Sequence, residues 1–408
     1  MPGPRVVLGV AGGIAAYKAV ELLRLLTESG HRVRVVPTES ALRFVGLATF
    51  AALSGEPVST SVWDDVEQVP HVRLGQQADV VVVAPATADL MARAVAGRAN
   101  DLLTATLLTA RCPVVMVPAM HTEMWDHAAT QANVATLRER GVIVVEPAEG
   151  RLTGPDTGKG RLPDPTSIAD LVYAVLARSA RGGGVPGGLT LDLAGRRVVV
   201  SAGGTREHLD PVRFLGNRSS GRQGWALARA AVARGADVTV VAANVELVDP
   251  AGVKVVRVVS AEDLHFAMHE AAPSADVIVM AAAVADFRPA SGAAESKISK
   301  TEAPPEPIAL VTNPDILAEL SAGRAGPHQV IVGFAAETGG SIDHGLAKLT
   351  RKGCDLLVVN QVGDGLGFEV EDNEVIILGA DGSRVDVPLS SKIHVAHAVW
   401  DAVTARLS

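Results

Sequence analysis

Only two cysteines occur in 408 residues, Cys112 and Cys354, one in each half and neither in a CxxC pair, so neither a disulfide framework nor a zinc motif organises the fold. Aromatic residues are equally scarce, 3% against 48% apolar, which excludes an aromatic-rich β-sandwich core and leaves Val, Ala and Gly to build parallel sheets covered by helices. No run approaches the roughly 20 uninterrupted apolar residues that span a bilayer. The opening "MPGPR" passes straight into "VVLGV" without the apolar stretch and cleavage site of a signal peptide. Lys and Arg number 37 against 45 Asp and Glu, a net charge of −8 with no dense basic cluster, which speaks against nucleic acid and anionic membrane as partners. The expectation is a soluble, cytoplasmic α/β protein whose anionic ligands are small and held at local sites.

What is present is alternation. Short β-branched runs at 5–10, 31–37, 78–85, 112–118 and 141–147 are separated by amphipathic segments such as "IAAYKAVELLRLLTESG", which Gly30 is placed to stop. This predicts right-handed βαβ units and a doubly wound parallel sheet. The glycine-rich "RSARGGGVPGG" reads as a linker, and the pattern restarts beyond it at 196–204, 236–243, 275–283, 329–337 and 355–360. "NEVIILGADGSRVDVPL" then reads as a hairpin turning at Asp381 and Gly382. The predicted organisation is a domain over 1–178, a linker over 179–188 and a second α/β domain over 189–408, each with its own strand-end crevice. Between Arg288 and Pro307 a polar, Pro- and Lys-containing insert interrupts the second domain, as a functional flap or as a plain loop.

"GVAGGIAAYK" (9–18) places a glycine turn between the first strand and first helix, where backbone N–H groups and the helix dipole hold phosphate. It is not the dinucleotide fingerprint, because GxGxxG from Gly9 requires glycine where Ala11 and Ile14 stand. A phosphate cradle and a purely geometric turn both fit. Three further loops, "VPTES" (36–40), "APATADL" (84–90) and "VPAMHTEM" (117–124), leave the same sheet edge. The last belongs to "VPAMHTEMWDH", whose His121 and His127 lie about 240° apart around a helix, not on one metal-binding face. His71, in "VPHVRLGQQADV", opens an amphipathic segment, where a lone histidine is more often structural than catalytic. In the second half, "SAGGTREHLDPVRFLGNRSSGRQG" (201–224) combines strand-end glycines with Arg206, Asn217 and a Ser219/Ser220 helix cap, a set suited to anion binding. Lys348 and Lys352 fall one helical turn apart in "KLTRK".

"GGIAAYK", "PATADL" and "PAM" followed by Met124 resemble the motifs of the flavin-containing cysteine decarboxylases, and the first 180 residues resemble phosphopantothenoylcysteine decarboxylase throughout. The resemblance implies a flavodoxin-like domain with FMN at Gly12, Gly13, Ile14, Thr38, Ser40, Ala86 and Thr87, His71 as catalytic base, and substrate contacts from Met120, His121, Met124 and Arg161. It also implies the chemistry: the substrate thiol loses a proton as the flavin takes a hydride, the thioaldehyde lets carbon dioxide leave, and the electrons return to the enethiol. "AEGRLTGPDTGKGRLPDP" (148–165) resembles the family's substrate flap, with Gly158, Gly160 and Arg161 in its GxGR core. Where many relatives carry a flap cysteine this chain has Thr153, Gly154 and Pro155, and where many carry asparagine after "PAM" it has His121.

The 201–224 loop together with "AAAVADFRP", "KISK", "TNPDIL", "GFAAET" and "KLTRKG" resembles the CTP-using phosphopantothenate–cysteine ligases over nearly all of 189–405. That implies a Rossmann-like ligase domain ending in the hairpin, with a CTP pocket from Met280, Ala281, Ala282, Pro314, Asp315, Ile316, Leu317 and Phe334. Asp286 would meet the triphosphate and its Mg2+, and Lys297, Lys348 and Lys352 would supply positive charge. Asn217 would orient the carboxylate or acyl cytidylate, Lys297 would act catalytically, and Arg206 would help hold substrate. The implied substrates are 4'-phosphopantothenate, L-cysteine and CTP, and the implied assembly is a homo-oligomer, a dodecamer if flavin-domain trimers combine with ligase-domain dimers. Two other readings stand beside this one: a nicotinamide-dependent oxidoreductase with tandem Rossmann domains, and a non-catalytic flavin or nucleotide sensor.

Overall fold

The computed structural model describes residues 3–63, 69–152, 156–180, 184–185, 188–189, 191–298, 307–337, 342–361 and 372–407. Contacts divide the chain into two compact units: Met1–Ala194 with Val232–Gly235 and Val248–Gly252, and the remainder.

The first unit runs β1 (Arg5–Val10), α1 (Lys18–Glu28), β2 (Arg32–Pro37), α2 (Leu47–Ser54), α3 (Pro70–Gln77), β3 (Val80–Ala86), α4 (Ala88–Val95), α5 (Leu102–Thr109), β4 (Val114–Pro118), α6 (Thr122–Asp126), α7 (Ala128–Glu139) and β5 (Ile143–Val144). A hairpin of β6 (Ala148–Arg151) and β7 (Thr157–Arg161) and then α8 (Pro165–Ala180) complete it. The five strands β1 to β5 pair in parallel in the order β2-β1-β3-β4-β5, the flavodoxin-like arrangement. Burial explains the order: every residue of β3, "VVVVAPA", is buried, as suits a central strand covered on both faces. Val7, Val81, Val83, Leu90, Leu103 and Met116 meet in one core cluster.

Within the glycine-rich stretch, β8 (Gly184–Val185) and β9 (Gly188–Leu189) pair antiparallel. The second unit then follows with β10 (Arg197–Gly203), β11 (Arg206–His208), β12 (Phe214–Gly216), α9 (Arg222–Val232), β13 (Asp237–Ala243), β14 (Val253–Val258), α10 (Ala261–Ala271), β15 (Val277–Met280), β16 (Phe287–Pro289) and β17 (Leu310–Thr312). Next come α11 (Ile316–Ala322), β18 (Val330–Glu337), α12 (Ile342–Lys352), β19 (Leu356–Gln361), β20 (Asp372–Gly379), β21 (Arg384–Ser391) and α13 (Lys392–Leu407). Its sheet has the order β14-β13-β10-β15-β18-β19-β20-β21; the first six strands are parallel, and β20 and β21 are the antiparallel hairpin expected around Gly382. The parallel part is the doubly wound, Rossmann-like order. Edge strand β14 is an addition to the expected strands: Lys254 and Arg257 point to solvent within it, so it lacks the continuous apolar run of a central strand. The short antiparallel pair of β16 and β17 closes the base of the 288–307 insert, whose residues 299–306 lie outside the described ones. Among the described residues no helix is long and apolar enough to cross a membrane.

Candidate active sites

In the first sheet the strand order reverses between β1 and β3, so the loops leaving their C-terminal ends part and open a crevice. Backbone bonds tie the four loop roots together: Ala11 N–H to Pro85 O at 3.1 Å, Thr38 N–H to Val10 O at 2.9 Å, and Ala119 N–H to Ala86 O at 3.2 Å. Gly12 lies where these loops touch. A Cβ there would stand 2.3 Å from Ser40 Cβ and 2.8 Å from the Ser40 carbonyl carbon, so only hydrogen fits without moving the β2 loop. Gly13 faces Thr87, whose hydroxyl accepts from Leu90 N–H at 3.3 Å and caps α4, while Thr38 is buried with its hydroxyl accepting from Ala41 N–H at 3.2 Å. Ala86 is fully buried and Ile14 is 65% exposed, the one flooring the crevice and the other standing at its open rim.

Met120 and His121 leave β4 at the same edge. His121 carries the first turn of α6 on its carbonyl, which accepts from Met124 and Trp125 N–H at 3.0 Å each, while its exposed imidazole makes no capping bond. Met120 N–H donates to Gly160 O at 3.0 Å, which seats the β6–β7 hairpin, and with it Arg161, beside the loop; Met124 is 48% exposed. Lys18 donates to Leu162 O at 3.3 Å, and its pKa is lowered by burial and by the nearby Arg161 charge. Two cations held this close suit an anionic group at the root of the hairpin, and Lys18 was not among the expected site residues. Thr153, Gly154 and Pro155 lie outside the described residues.

His71 is the second residue of α3, and a helix that returns antiparallel to its strands brings its N-terminus to the edge where strands end. Among the described residues its Nδ1 is buried without a hydrogen-bond partner. The backbone beneath is fixed: Thr109 Oγ1 donates to His71 O at 2.7 Å, and Gly75 lets α3 approach so closely that a Cβ there would lie 2.3 Å from Thr109 Oγ1. A polar atom stripped of water and left unpaired costs on the order of 1–3 kcal/mol, a burden that a ligand contact relieves. The cysteines offer no such chemistry, since burial pushes the thiols of Cys112 and Cys354 up to about 11 and keeps both protonated at neutral pH.

In the second sheet the reversal falls between β10 and β15, and again the loops interlock: Thr205 N–H donates to Ala283 O at 3.2 Å, Ala285 N–H to Thr205 Oγ1 at 2.9 Å, and Asn217 Nδ2 to Val284 O at 2.8 Å. This pins Asn217 and leaves its other amide hydrogen and its oxygen for a ligand. Asn217 and Arg206 line a cavity of about 240 Å³ with Gly204, Phe214, Arg218, Ser219 and Asn244. The Arg206 guanidinium lies 4.8 Å over the Phe214 ring, which fixes its direction. Helix α9 opens only after Gly221, whose carbonyl accepts from Trp225 N–H, so Ser219 lines the cavity rather than capping the helix as expected. Sequence reasoning passed over Asn244, which adopts a left-handed φ of 52° and spans the loop ends by donating to Gly204 O and Val259 O, both at 2.9 Å. The signal available was an asparagine directly after a strand, one of the few non-glycine types that tolerate this conformation.

The expected nucleotide residues gather at the ends of β15 and β18. Met280 pairs with Gly333 beside Phe334, and Ala281 and Ala282 follow, with Ala282 N–H donating to Ser201 Oγ at 3.1 Å. Pro314 leads into α11, which Asp315 caps through Ala318 N–H; Ile316 and Leu317 bury their side chains in the core with Met280. Exposed Asp286 is joined to this loop by Asn313 N–H at 2.8 Å. Lys348 and Lys352 lie on α12 as expected, but Lys352 forms an ion pair with Asp315, whose pKa is lowered because that pair and the cap outweigh desolvation.

Lys297 is exposed on the insert, and its neighbour Ile298 donates its N–H to Asp210 Oδ2 at 3.1 Å across 88 residues. Asp210 is fully buried and also accepts from Val212 and Arg213 N–H at 2.7 and 2.8 Å. Desolvation favours its acid form, but the three N–H donors win and hold the carboxyl below its usual range. A depressed folded-state pKa stabilises fully above the unfolded value of about 3.9 and loses that contribution as pH falls through the folded value. Asp210→Asn is therefore expected to lower the second unit's urea midpoint at neutral pH, with the gap to wild type narrowing from about pH 5 to about pH 3.

Two family models match the chain, Flavoprotein over residues 1–177 and DNA/pantothenate metabolism flavoprotein C-terminal domain over 193–407. The coenzyme A biosynthesis bifunctional protein CoaBC of Mycobacterium tuberculosis is 59% identical over 413 aligned residues, covering 99% of this chain and 97% of that one. The chain belongs to the CoaBC family of coenzyme A biosynthesis bifunctional proteins. The Escherichia coli K12 CoaBC is 39% identical and covers all of this chain and 98% of its own length, so the likeness extends through both units. A crystal structure of the C-terminal domain of a CoaBC protein is 34% identical, covering 53% of this chain and 97% of its own with a TM-score of 0.45. CoaBC membership makes the chain a bifunctional enzyme of coenzyme A biosynthesis, with a flavoprotein decarboxylase domain first and a ligase domain second.

Proposed function

We propose that the second domain, residues 189–408, joins 4'-phosphopantothenate to L-cysteine with CTP, and that the first, residues 1–178, decarboxylates the product to 4'-phosphopantetheine with FMN, with 179–188 as the linker. The observation that carries the decarboxylase half is the buried, unpartnered Nδ1 of His71 on a helix N-terminus at the crevice edge.

The first crevice fits a flavin mononucleotide. Gly12 and Gly13 keep side chains out of the contacts with Ser40 and Thr87, and the short turn Ile14–Tyr17 that leads into α1 starts at Gly13, which has no side chain to cap it, so its first N–H groups suit a phosphate. Gly12, Gly13, Ile14, Thr38, Ser40, Ala86 and Thr87 would hold it. Bound FMN supplies a hydride acceptor and donor, which none of the side chains provides. His71 takes the substrate thiol proton, Met120, His121, Met124 and Arg161 place the substrate, and the hairpin excludes water. His121 carries a hydrogen-bond donor to the substrate carboxylate or amide. Gly12→Val is expected to push the Ser40 loop out of the crevice and to purify with little yellow colour while circular dichroism shows the domain still folded; full flavin content in folded protein would remove Gly12 from the cradle.

In the second domain a carboxylate must be activated before an amine attacks it. Its oxygen displaces pyrophosphate from CTP to give an acyl cytidylate, and the cysteine amine then displaces CMP with loss of a proton. Asn217 orients the acyl group, Arg206 and Lys297 meet anionic charge, and Met280, Ala281, Ala282, Phe334 and the Pro314–Leu317 loop receive the cytidine. Asp286, a single exposed carboxylate, suits Mg2+, which keeps several waters and takes its other ligands from phosphates. Lys348 and Lys352 reach the triphosphate once Lys352 is shared with Asp315. Homo-oligomeric assembly is supported by exposed Ile14, Tyr17, Phe44 and Leu47 in the first unit, apolar surface of the kind that a copy covers.

Mass spectrometry after supplying phosphopantothenate, cysteine, CTP and Mg2+ tests the scheme. Pyrophosphate, CMP and phosphopantetheine should accumulate together and only with both organic substrates present. CTP hydrolysis indifferent to cysteine would overturn it.

A further inference from the structure

A side-chain cluster outside both crevices joins two helices of the second unit. His265 and His269 stand one turn apart on α10, and Glu319 reaches them from α11; one ligand atom from each lies within 4.8 Å of the other two. His265 Nε2 is 2.7 Å and His269 Nε2 is 3.8 Å from the same Glu319 Oε2, and the rings are 4.2 Å apart, tilted by 39°. All three side chains are 34–44% exposed, so the cluster is reachable from solvent.

We propose that His265, His269 and Glu319 form a binding site for a borderline divalent transition metal, with Zn2+ as its type. The donor set argues for this class, since two imidazole nitrogens and one carboxylate suit Zn2+, Co2+ or Ni2+, whereas Mg2+ and Ca2+ take oxygen. The His269 tautomer is already arranged. His269 Nδ1 is 2.9 Å from His265 O, and because a carbonyl only accepts, the proton sits on Nδ1 and the Nε2 lone pair faces the cluster. The contact between His265 and Glu319 is bridged by a proton on Nε2, which moves to Nδ1 by exchange with solvent so that the metal takes the freed Nε2 lone pair of a neutral ring. Three protein ligands leave one coordination position for water.

The supports are rigid. Ser260 and Asp263 form a capping box at the start of α10, and Asp315 caps α11 through Ala318 N–H. The ion would thus fasten α10 to the helix whose first turn carries the proposed cytidine loop, one turn before Glu319. This site is separate from Mg2+ at Asp286 and does not depend on the ligase mechanism.

Equilibrium dialysis of the full chain against Zn2+, with Co2+ absorption spectra as a second readout, tests the assignment. Wild type should bind one ion that His269→Gln and Glu319→Gln each weaken by about 100-fold or more, and about tenfold excess Mg2+ should not displace it. Glu319→Gln keeps the side-chain shape, so its circular dichroism should match wild type, and only wild type should gain unfolding temperature with Zn2+. Equal stoichiometry and affinity in wild type and both folded variants, or displacement by Mg2+, would overturn the site.

Discussion

His71→Asn is expected to lower carbon dioxide release at least about 100-fold while ligation, measured as CTP-dependent pyrophosphate release, stays at the wild-type rate. Asparagine preserves polarity and roughly the volume but cannot shuttle a proton, so the loss reads acid–base chemistry rather than packing. The helix should survive, because what anchors it is the His71 carbonyl on the Thr109 hydroxyl and the close Gly75 approach to α5, neither of which involves the imidazole. Flavin content should be unchanged for the same reason. At about 1.36 kcal/mol per factor of ten, a hundredfold loss is about 2.7 kcal/mol, the low end of what one positioned base contributes. If ligation failed as well in folded protein, the assignment of the two reactions to separate crevices would be wrong.

The fold was legible because parallel sheets buried on both faces must be written in continuous β-branched runs, and β3 and β15 are such runs. Edge strand β14 escaped for the converse reason, its solvent-facing Lys254 and Arg257 breaking the run. Strand-end glycines located both crevices, since topology alone sends those loops to one edge. What sequence cannot carry is closeness between distant residues: Gly12 against Ser40, Lys352 against Asp315, or Asp210 under Ile298. Asn244 was missed on the same ground, because its role lies in the two carbonyls it bridges rather than in any motif around it. The reading of Lys348 and Lys352 as a clamp rested on spacing within one helix, and spacing does not disclose a carboxylate arriving from α11.

Lys297→Gln is expected to lower the ligation kcat by about 100-fold, the size of effect seen when one preorganised charge is removed from a developing anion, with decarboxylation of supplied phosphopantothenoylcysteine unaffected. The side chain is exposed and its neighbour Ile298 is held by Asp210, so charge and position are separable at this point of the insert. Lys297→Arg should recover much of the rate, since it restores charge, whereas Asp210→Ala should reduce the rate with the lysine intact, since it releases the Ile298 anchor and the Val212–Arg213 turn together. If Asp210 acts through Lys297, the double variant Asp210→Ala/Lys297→Gln should be only slightly slower than Lys297→Gln alone, because residues that share one task do not add. Full additivity would mean that Asp210 serves the cavity loop independently of the lysine. Unchanged ligation kinetics in Lys297→Gln would remove that lysine from the mechanism and leave the triphosphate charge to Lys348, Lys352 and Arg206.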